Sequence, residues 1–598
     1  MQLLKLFVKY IKGNIKYFVA GFLMIIALNY IRSLIPLFIS KVFEILGNGE
    51  NVSTLPSFIN HIFDGKSATV QLTICAISIV VVAIIRDTIN LGTDLSIACA
   101  SEGVGYNMQT DFYNHVQNLP YSYLNHAETG DLIQRSIQDV SRVKMFVGSQ
   151  LSVMVTNIAQ IAIYSTQMLF INVEFSLYIL SLIPVLFIFT LLYFRKQNKL
   201  WEDMENNEGL LMNVIQENYT GIRVVKAFAN EEYEINKFNQ VMDKFMESWD
   251  KPNRRMSTFW MSNDLVSYFM LLLTFVLGLV FIFNNKLLFS ELIALFLFVQ
   301  SIMWPAKNLG RLIANFGRVN ISAKRILEIV TLKTEYDDDN KSTLKPKIEG
   351  DIVFEDVSFK FEDATYNTIK DINLHIQKGE TIALIGKTGS GKSTLVALLN
   401  RMLDPSSGHI YVDGVDISQI DKQYLRKNVG IVLQEPFLFS RSIADNIGIT
   451  ANKIDLKLIK SVANIASVDS DIEAFKDGYN TMVGERGVTL SGGQKQRVSI
   501  ARTILQNKPI LIFDDSLSAV DTETDIKIRK ALKNRESSST TIIITHRVQT
   551  AKDADKIIVL EDGMIKDIGT HDELIKKDGL YKTINDIQTY FKSDGGEL

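Results

Sequence analysis

Positive charge is not in excess in this 598-residue chain: 63 lysines and arginines stand against 66 acidic residues, a formal net charge of -3. A nucleic-acid partner, which usually calls for a basic face, finds no support in that balance. Cysteine is scarce too, with only Cys75 and Cys99. Both fall in one predicted membrane helix or its extension, which is no disulfide framework and says little about redox compartment. The seven histidines show none of the spacing that structural zinc needs. Only His546 follows a strand-like run, residues 541–545 (Thr-Ile-Ile-Ile-Thr), and the others read as ordinary surface or partly buried residues. A secretory cleavage site is also missing. Instead Leu3, Leu4, Phe7, Val8 and Ile11 repeat at helical spacing, with Lys5, Lys9 and Lys12 between them. That pattern suits a short helix lying in the cytoplasmic membrane interface.

What is present is uneven. The length exceeds what one compact core serves, and the average of 47% hydrophobic residues hides a split. Long apolar runs fill the first part, whereas the part after Lys345 reads as a soluble α/β domain. A bilayer core of about 30 Å needs about 20 apolar residues per helix. Candidate spans are 17–40, 70–90, 146–171, 175–193, 265–283 and 292–304, the last continuing through Leu309, Leu312 and Ile313. Loops 46–68, 172–174 and 284–291 contain only Lys66 and Lys286, while the opposite side is lysine- and arginine-rich. Both termini are therefore expected in the cytoplasm. The inner connections, 94–144 and 194–264, keep helical periodicity but are polar, as membrane helices extended into the cytoplasm would be. Their tips are expected at 121–125, just after Pro120, and at 208–212. Arg32, Arg86 and Asp87 lie within spans, where charge is costly. Two readings are open for them: a substrate path, or an ion pair locking helices together.

The expected organisation is a six-helix all-α membrane domain over 1–330, a linker over 331–347, and an α/β P-loop nucleotide-binding domain over 348–598. Strand-like 380–385 runs directly into Gly386, Lys387, Thr388, Gly389, Ser390, Gly391, Lys392, Ser393 and Thr394, which match G-x-x-x-x-G-K-[S/T] in full. Glycines let backbone N–H groups wrap phosphates, and the following helix presents its positive end. Lys392 is expected at the β- and γ-phosphates of ATP, with the Ser393 hydroxyl on Mg2+. A second apolar strand, 510–514, ends in Asp514, an acid placed to hold the same Mg2+.

Leu490, Ser491, Gly492, Gly493 and Gln494, followed by a helix-like run, resemble the signature sequence of ATP-binding-cassette (ABC) proteins. With the six spans, the resemblance covers essentially the whole chain and is nearest to the bacterial multidrug and lipid A exporters, which have the type IV exporter fold. It implies that Phe361 stacks on adenine, that Gln434 contacts Mg2+ and senses the γ-phosphate, and that His546 contacts the γ-phosphate. It further implies that Ser518 and Asp521 belong to a loop crossing between two cassettes, and that 481–487 communicates with the helical hairpins.

In this family ATP is sandwiched between the Lys392 loop of one cassette and the signature of another, so the resemblance implies a dimer. One position departs from the family pattern. Asp515 stands where the family has the glutamate that polarises the attacking water. Aspartate sets its carboxylate back by about 1.5 Å, and a 1 Å misplacement can cost about 100-fold in rate. An intact signature beside an impaired Asp515 implies a heterodimer with a second half-transporter, with a slower homodimer as the alternative. The function expected is ATP-driven export of hydrophobic or amphipathic compounds by a multi-pass protein of the cell membrane. A peptide or lipid exporter, or a nucleotide-gated member that does not pump, are the alternatives. Phe296, Phe298, Gln300 and Trp304 would suit bulky amphiphiles, but ordinary helix packing explains them equally well.

Overall fold

Apolar runs long enough for a bilayer become helices because only a helix satisfies every backbone polar group within its own segment. In the computed structural model, which describes residues 2–47, 55–337, 343–361, 364–451, 454–484, 487, 489–517, 520–533 and 539–593, two compact units form. The first comprises Met1–Gln117 and Glu128–Leu332, the second Asn118–Ala127 and Lys333–Leu598.

Six helices of the first unit are long and apolar enough to cross a membrane: Ile15–Leu46, Ala68–Gln117, Thr129–Ile171, Val173–Thr220, Glu231–Phe283 and Phe289–Ile313. Each contains one expected span. The last continues as a single helix to Val330 despite Pro305. Their common core includes Leu37, Phe38, Cys75, Tyr164, Met168, Phe175, Leu295 and Phe298. The N-terminal amphipathic stretch is the helix Gln2–Ile11, tied to the extension of the second spanning helix by Lys9 Nζ to Asp111 at 2.7 Å and by the Tyr10 hydroxyl to the same carboxylate. Asn172 caps the helix that follows it and donates to the Lys286 carbonyl at 3.0 Å, so two short loops brace each other.

Two details differ from expectation. The second long connection turns back at 221–230, around the short helix Ile222–Ala227 and a left-handed Ala229 at φ 51°. Residues 208–212 lie inside the helix Ile183–Thr220. A lone Gly209 costs a helix only about 1 kcal/mol, and its neighbours Leu210, Leu211 and Met212 are strong helix formers. The first reversal does fall at the helix Tyr121–His126, after Pro120. Arg86, for its part, pairs with its own neighbour, Nε to Asp87 Oδ1 at 2.8 Å, so no bridge between helices is made by that pair.

The second unit is built on strands β1 (Ile352–Phe359), β2 (Ile369–Ile376), β3 (Thr381–Gly386), β4 (Ser407–Val412), β5 (Val415–Asp416), β6 (Val429–Val432), β7 (Ile510–Asp514), β8 (Thr540–Ile544), β9 (Lys556–Glu561) and β10 (Met564–Gly569). One sheet has the order β2-β1-β4-β5 and pairs antiparallel. The other runs β10-β9-β3-β8-β7-β6, with all but the β10 edge parallel. Parallel strands are buried on both faces and read as continuous apolar runs, as 510–513 and 542–544 do. A helical lobe containing Ile443–Ile447, Leu456–Ile465 and Gly492–Leu505 packs through Leu438, Ile459, Val498 and Ile504 onto Phe513 and Ile543 of that sheet.

Candidate functional site

Ligands of open parallel sheets bind outside the carboxyl ends of the strands, and here four adjacent strands deliver their tips to one edge. β3 leads into the Gly386–Ser393 loop, β7 ends in Asp514, β8 leads to His546, and β6 to Gln434. Thr388, Gly389, Gly391, Lys392, Ser393, Thr394, Gln434, Asp514, Asp515 and His546 line one cleft of about 240 Å³ with Thr368 and Ile544. Residues from five separate stretches of sequence are thus brought together.

The loop's glycines are dictated by space and by dihedral. A Cβ on Gly386 would sit 2.2 Å from the Leu560 carbonyl oxygen, and one on Gly391 2.6 Å from Ile369 Cδ1. Gly391 has φ +98°, a left-handed conformation that glycine alone adopts at no cost, and the helix Lys392–Leu399 begins there. That helix presents its first N–H groups to the cleft. Lys392 folds back on the loop, its Nζ donating to the carbonyls of Gly386 at 2.9 Å and Lys387 at 2.8 Å. Burial pushes the Lys392 ammonium below the usual lysine range, against the pull of Asp515 and Asp514. Across from it, burial pushes Asp514 above the usual carboxylate range, opposed by a hydrogen bond from Ser393 Oγ at 3.2 Å. Asp515 follows at φ 44°, its N–H donating to the Ile544 carbonyl at 3.0 Å. That left-handed turn suits aspartate better than most residues.

Ser393 hydroxyl, Asp514 carboxylate and Gln434 amide offer the hard oxygen donors that Mg2+ takes. The raised Asp514 is a half-buried carboxylate whose desolvation a cation would offset. The donor set fits such an ion. Among the described residues, no cluster of three His, Cys, Asp or Glu side chains suits another metal.

The remaining expected residues lie elsewhere. Phe361 sits just past β1, outside the cleft lining, its ring edge-on to Phe359 with centroids 4.8 Å apart. Lys387 and Ser390 enter the loop through their backbones, the Ser390 N–H donating to the Lys387 carbonyl. Leu490 is buried, and Ser491 caps the helix Gly492–Leu505 in a reciprocal pair with Gln494. None of residues 490–494 lines the Lys392 cleft. Asp521 accepts from the Thr524 N–H at 2.9 Å, which holds its carboxyl below the usual range. Ser518 lies outside the described residues, as do Glu485 and Arg486. Thr368 was not legible in the sequence: the pairing of Phe359 with Ile369 brings it to the cleft, and no local motif marks it.

The chain is similar to known proteins over most of its length. Residues 18–306 match the ABC transporter transmembrane region family, and residues 369–518 match the ABC transporter family. The ABC transporter ATP-binding protein YknU of Bacillus subtilis is 33% identical over 81% of this chain and 83% of its own length. YgaD of the same organism, an ATP-binding/permease protein to which multidrug export is ascribed, is 33% identical over 87% of this chain and 90% of its own. The alpha-hemolysin translocation ATP-binding protein HlyB of Escherichia coli O157:H7 is 33% identical over 80% of this chain and 67% of its own. A bacterial Atm1-family ABC exporter solved with ATP bound superposes with a TM-score of 0.80 at 23% identity, covering 96% of this chain and 99% of that one, which establishes the shared fold. With a transmembrane region and an ATP-binding domain on one polypeptide, the chain belongs to the ABC transporter family as a multi-pass ABC exporter and ATPase.

Proposed function

We propose that this chain is one subunit of a dimeric exporter that moves hydrophobic or amphipathic compounds across the cell membrane by alternating access, its ATP-binding unit and both termini cytoplasmic. The observation that carries the proposal is the separation of the two half-sites: residues 490–494 line no part of the cleft formed by 388–394, 434, 514, 515 and 546. A second cassette's signature helix is then needed to close this cleft, and this chain's Ser491 and Gly493 close the partner's. Multidrug export ascribed to YgaD supports the substrate class. The alpha-hemolysin translocation in HlyB's name supports a polypeptide cargo as the second reading.

Within the cleft, Lys392 binds the β- and γ-phosphates after leaving the Gly386 and Lys387 carbonyls. Ser393, Asp514 and Gln434 hold Mg2+, which when bound neutralises charge on the phosphates. His546 faces the γ-phosphate, and Phe361 meets the adenine. Asp515, its carboxylate set back by one methylene, orients the attacking water poorly, so hydrolysis in this cleft is slow and owes little to it. Ser518 and Asp521 belong to the crossing between cassettes. An intact signature beside a slow site favours a heterodimer, in which the partner holds the fast site.

The test is the ATPase activity of the purified chain alone. Slow turnover that Asp515→Asn leaves nearly unchanged, and that Asp515→Glu raises by up to about 100-fold, is expected. Robust turnover of the lone chain, abolished by Asp515→Asn, would sink the heterodimer. ATP-dependent dye uptake into inverted vesicles carrying both chains separates a pump from a nucleotide-gated member.

A further inference from the structure

His546 stands exposed at the carboxyl end of β8, and its backbone is held from several sides. The Thr545 N–H donates to the Leu384 carbonyl at 3.2 Å and the Arg547 N–H to Thr545 Oγ1 at 3.0 Å. Arg547 Nη1 donates to the Val520 carbonyl at 2.9 Å. Two groups of this turn go to one distant side chain. Gln588 Nε2 donates to the His546 carbonyl at 2.7 Å, and Gln588 Oε1 accepts from the Val548 N–H at 2.9 Å. An amide is suited to this double contact because it carries a donor and an acceptor on one planar group.

Gln588 is delivered by the C-terminal helix Leu580–Ser593. Tyr581, Ile584 and Gln588 follow at i, i+3 and i+7, which places them on one face. Tyr581 is 2% exposed in a cluster with Val548, Ala551, Val559 and Leu574, against which Ile584 also packs. The helix is therefore anchored on the residues that directly follow His546, and its amide reaches back over them. A helix meant only to cover apolar surface would need Tyr581 and Ile584 but not two hydrogen bonds to the turn that carries a cleft residue.

We propose that Gln588 is a positioning residue for His546: it fixes the turn so that the imidazole meets the γ-phosphate, and the C-terminal helix thereby sets how well the cleft distinguishes ATP from ADP. This inference rests on the reading of His546 as the γ-phosphate contact. Since ADP lacks that phosphate, loosening the turn weakens ATP binding selectively.

The experiment compares the affinities of a non-hydrolysable ATP analogue and of ADP, both with Mg2+, for the full-length chain in lipid nanodiscs. Gln588→Met keeps length and packing while removing both hydrogen bonds. Its affinity for the ATP analogue is expected to fall about fivefold, with ADP binding held within about twofold, the size of one or two modest hydrogen bonds. Gln588→Glu, a second variant that keeps the acceptor for Val548 but turns a carboxylate toward the His546 carbonyl, is expected to fall at least as far. In a His546→Ala background Gln588→Met should cause no further loss. Equal losses for both nucleotides, or no loss for either, would overturn the proposal, since a helix that only packs weakens both or neither. Selectivity lost in His546→Ala but kept in both Gln588 variants also overturns it, while leaving the His546 reading intact. Unchanged selectivity in His546→Ala removes the His546 reading and this inference with it.

Discussion

Lys392 is buried and Asp514 half-buried, and desolvation shifts each toward its neutral form, the lysine down and the aspartate up. Groups placed in this way work against folding and toward a charged ligand. For Asp514 the linkage has a definite sign. Its folded pKa lies above the unfolded one, so at neutral pH the ionised carboxylate is better solvated in the unfolded chain and burdens the fold. That burden is fully present above the folded pKa and is relieved as pH falls through it toward the unfolded value. Asp514→Asn should therefore raise the unfolding midpoint of the nucleotide-free chain at pH 7 by a few degrees, with the gain shrinking under acid. The same substitution should erase the further rise that Mg-ATP gives the wild type. Thermal scans with and without Mg-ATP at two pH values read both effects, and a lower nucleotide-free midpoint for the variant would show that Asp514 is structurally compensated.

Among the elements, those written in one short stretch were legible. The loop from Gly386 to Thr394, the strand ending in Asp514 and the apolar spans each carry their signal locally, through glycine spacing, apolar runs and length. What escaped was set by tertiary pairing. Thr368 reaches the cleft only because β1 and β2 align Phe359 with Ile369, and Gln588 meets His546 across a separation of 42 residues. The second reversal was misplaced because a single glycine in a strongly helical run looks like a break, whereas the turn at 221–230 has no proline to announce it. Polar pairing between membrane-domain helices was equally silent. Asp139, 1% exposed and at the end of a π-helical turn, accepts from Ser322 Oγ at 2.8 Å and pairs with Arg325 at 3.4 Å. These bonds fasten the third spanning helix to the extension of the sixth. Asp139→Ala strands the Ser322 hydroxyl, whereas Arg325 keeps its ion pair with Asp131, so the membrane unit should lose about 1 kcal/mol, the size of one hydrogen bond. A lowered thermal midpoint in nanodiscs checks this, with Asp139→Asn, which keeps the acceptor for Ser322, falling less. An unchanged midpoint would mean that Asp139 adds nothing to the Asp131–Arg325 and Arg135–Glu328 pairs that also join these helices.

For the whole molecule, the proposed half-sites offer a test because each can be altered without touching the other. ABC exporters act as dimers in the bilayer, and in a heterodimer Lys392 would serve the slow cleft while Ser491 would serve the fast cleft of the other chain. Lys392→Ala would remove the cation proposed to meet the phosphates, yet the partner's fast site would keep its own. Ser491→Arg leaves this chain's cleft unaltered and places a bulky cation at the helix N-terminus proposed to approach the partner's γ-phosphate, where the helix dipole already disfavours positive charge. In a heterodimer, Lys392→Ala should leave most of the ATPase activity and Ser491→Arg should remove nearly all of it. A homodimer makes the two substitutions equivalent, because every site then contains one altered half. Steady-state ATPase rates of the two variants, in membranes where the chain is produced with its native neighbours, distinguish the cases. Ser491 also caps its helix, and loss of a cap costs about 1 kcal/mol. Ser491→Gly, which costs a cap only a few tenths of a kcal/mol, therefore serves as the control. If its activity falls as far as that of Ser491→Arg with an unchanged unfolding midpoint, the serine hydroxyl itself acts at the partner's nucleotide. Full activity in Ser491→Gly instead assigns the loss in Ser491→Arg to the added cation, with Gly492 and Gly493 providing the close approach through their backbone.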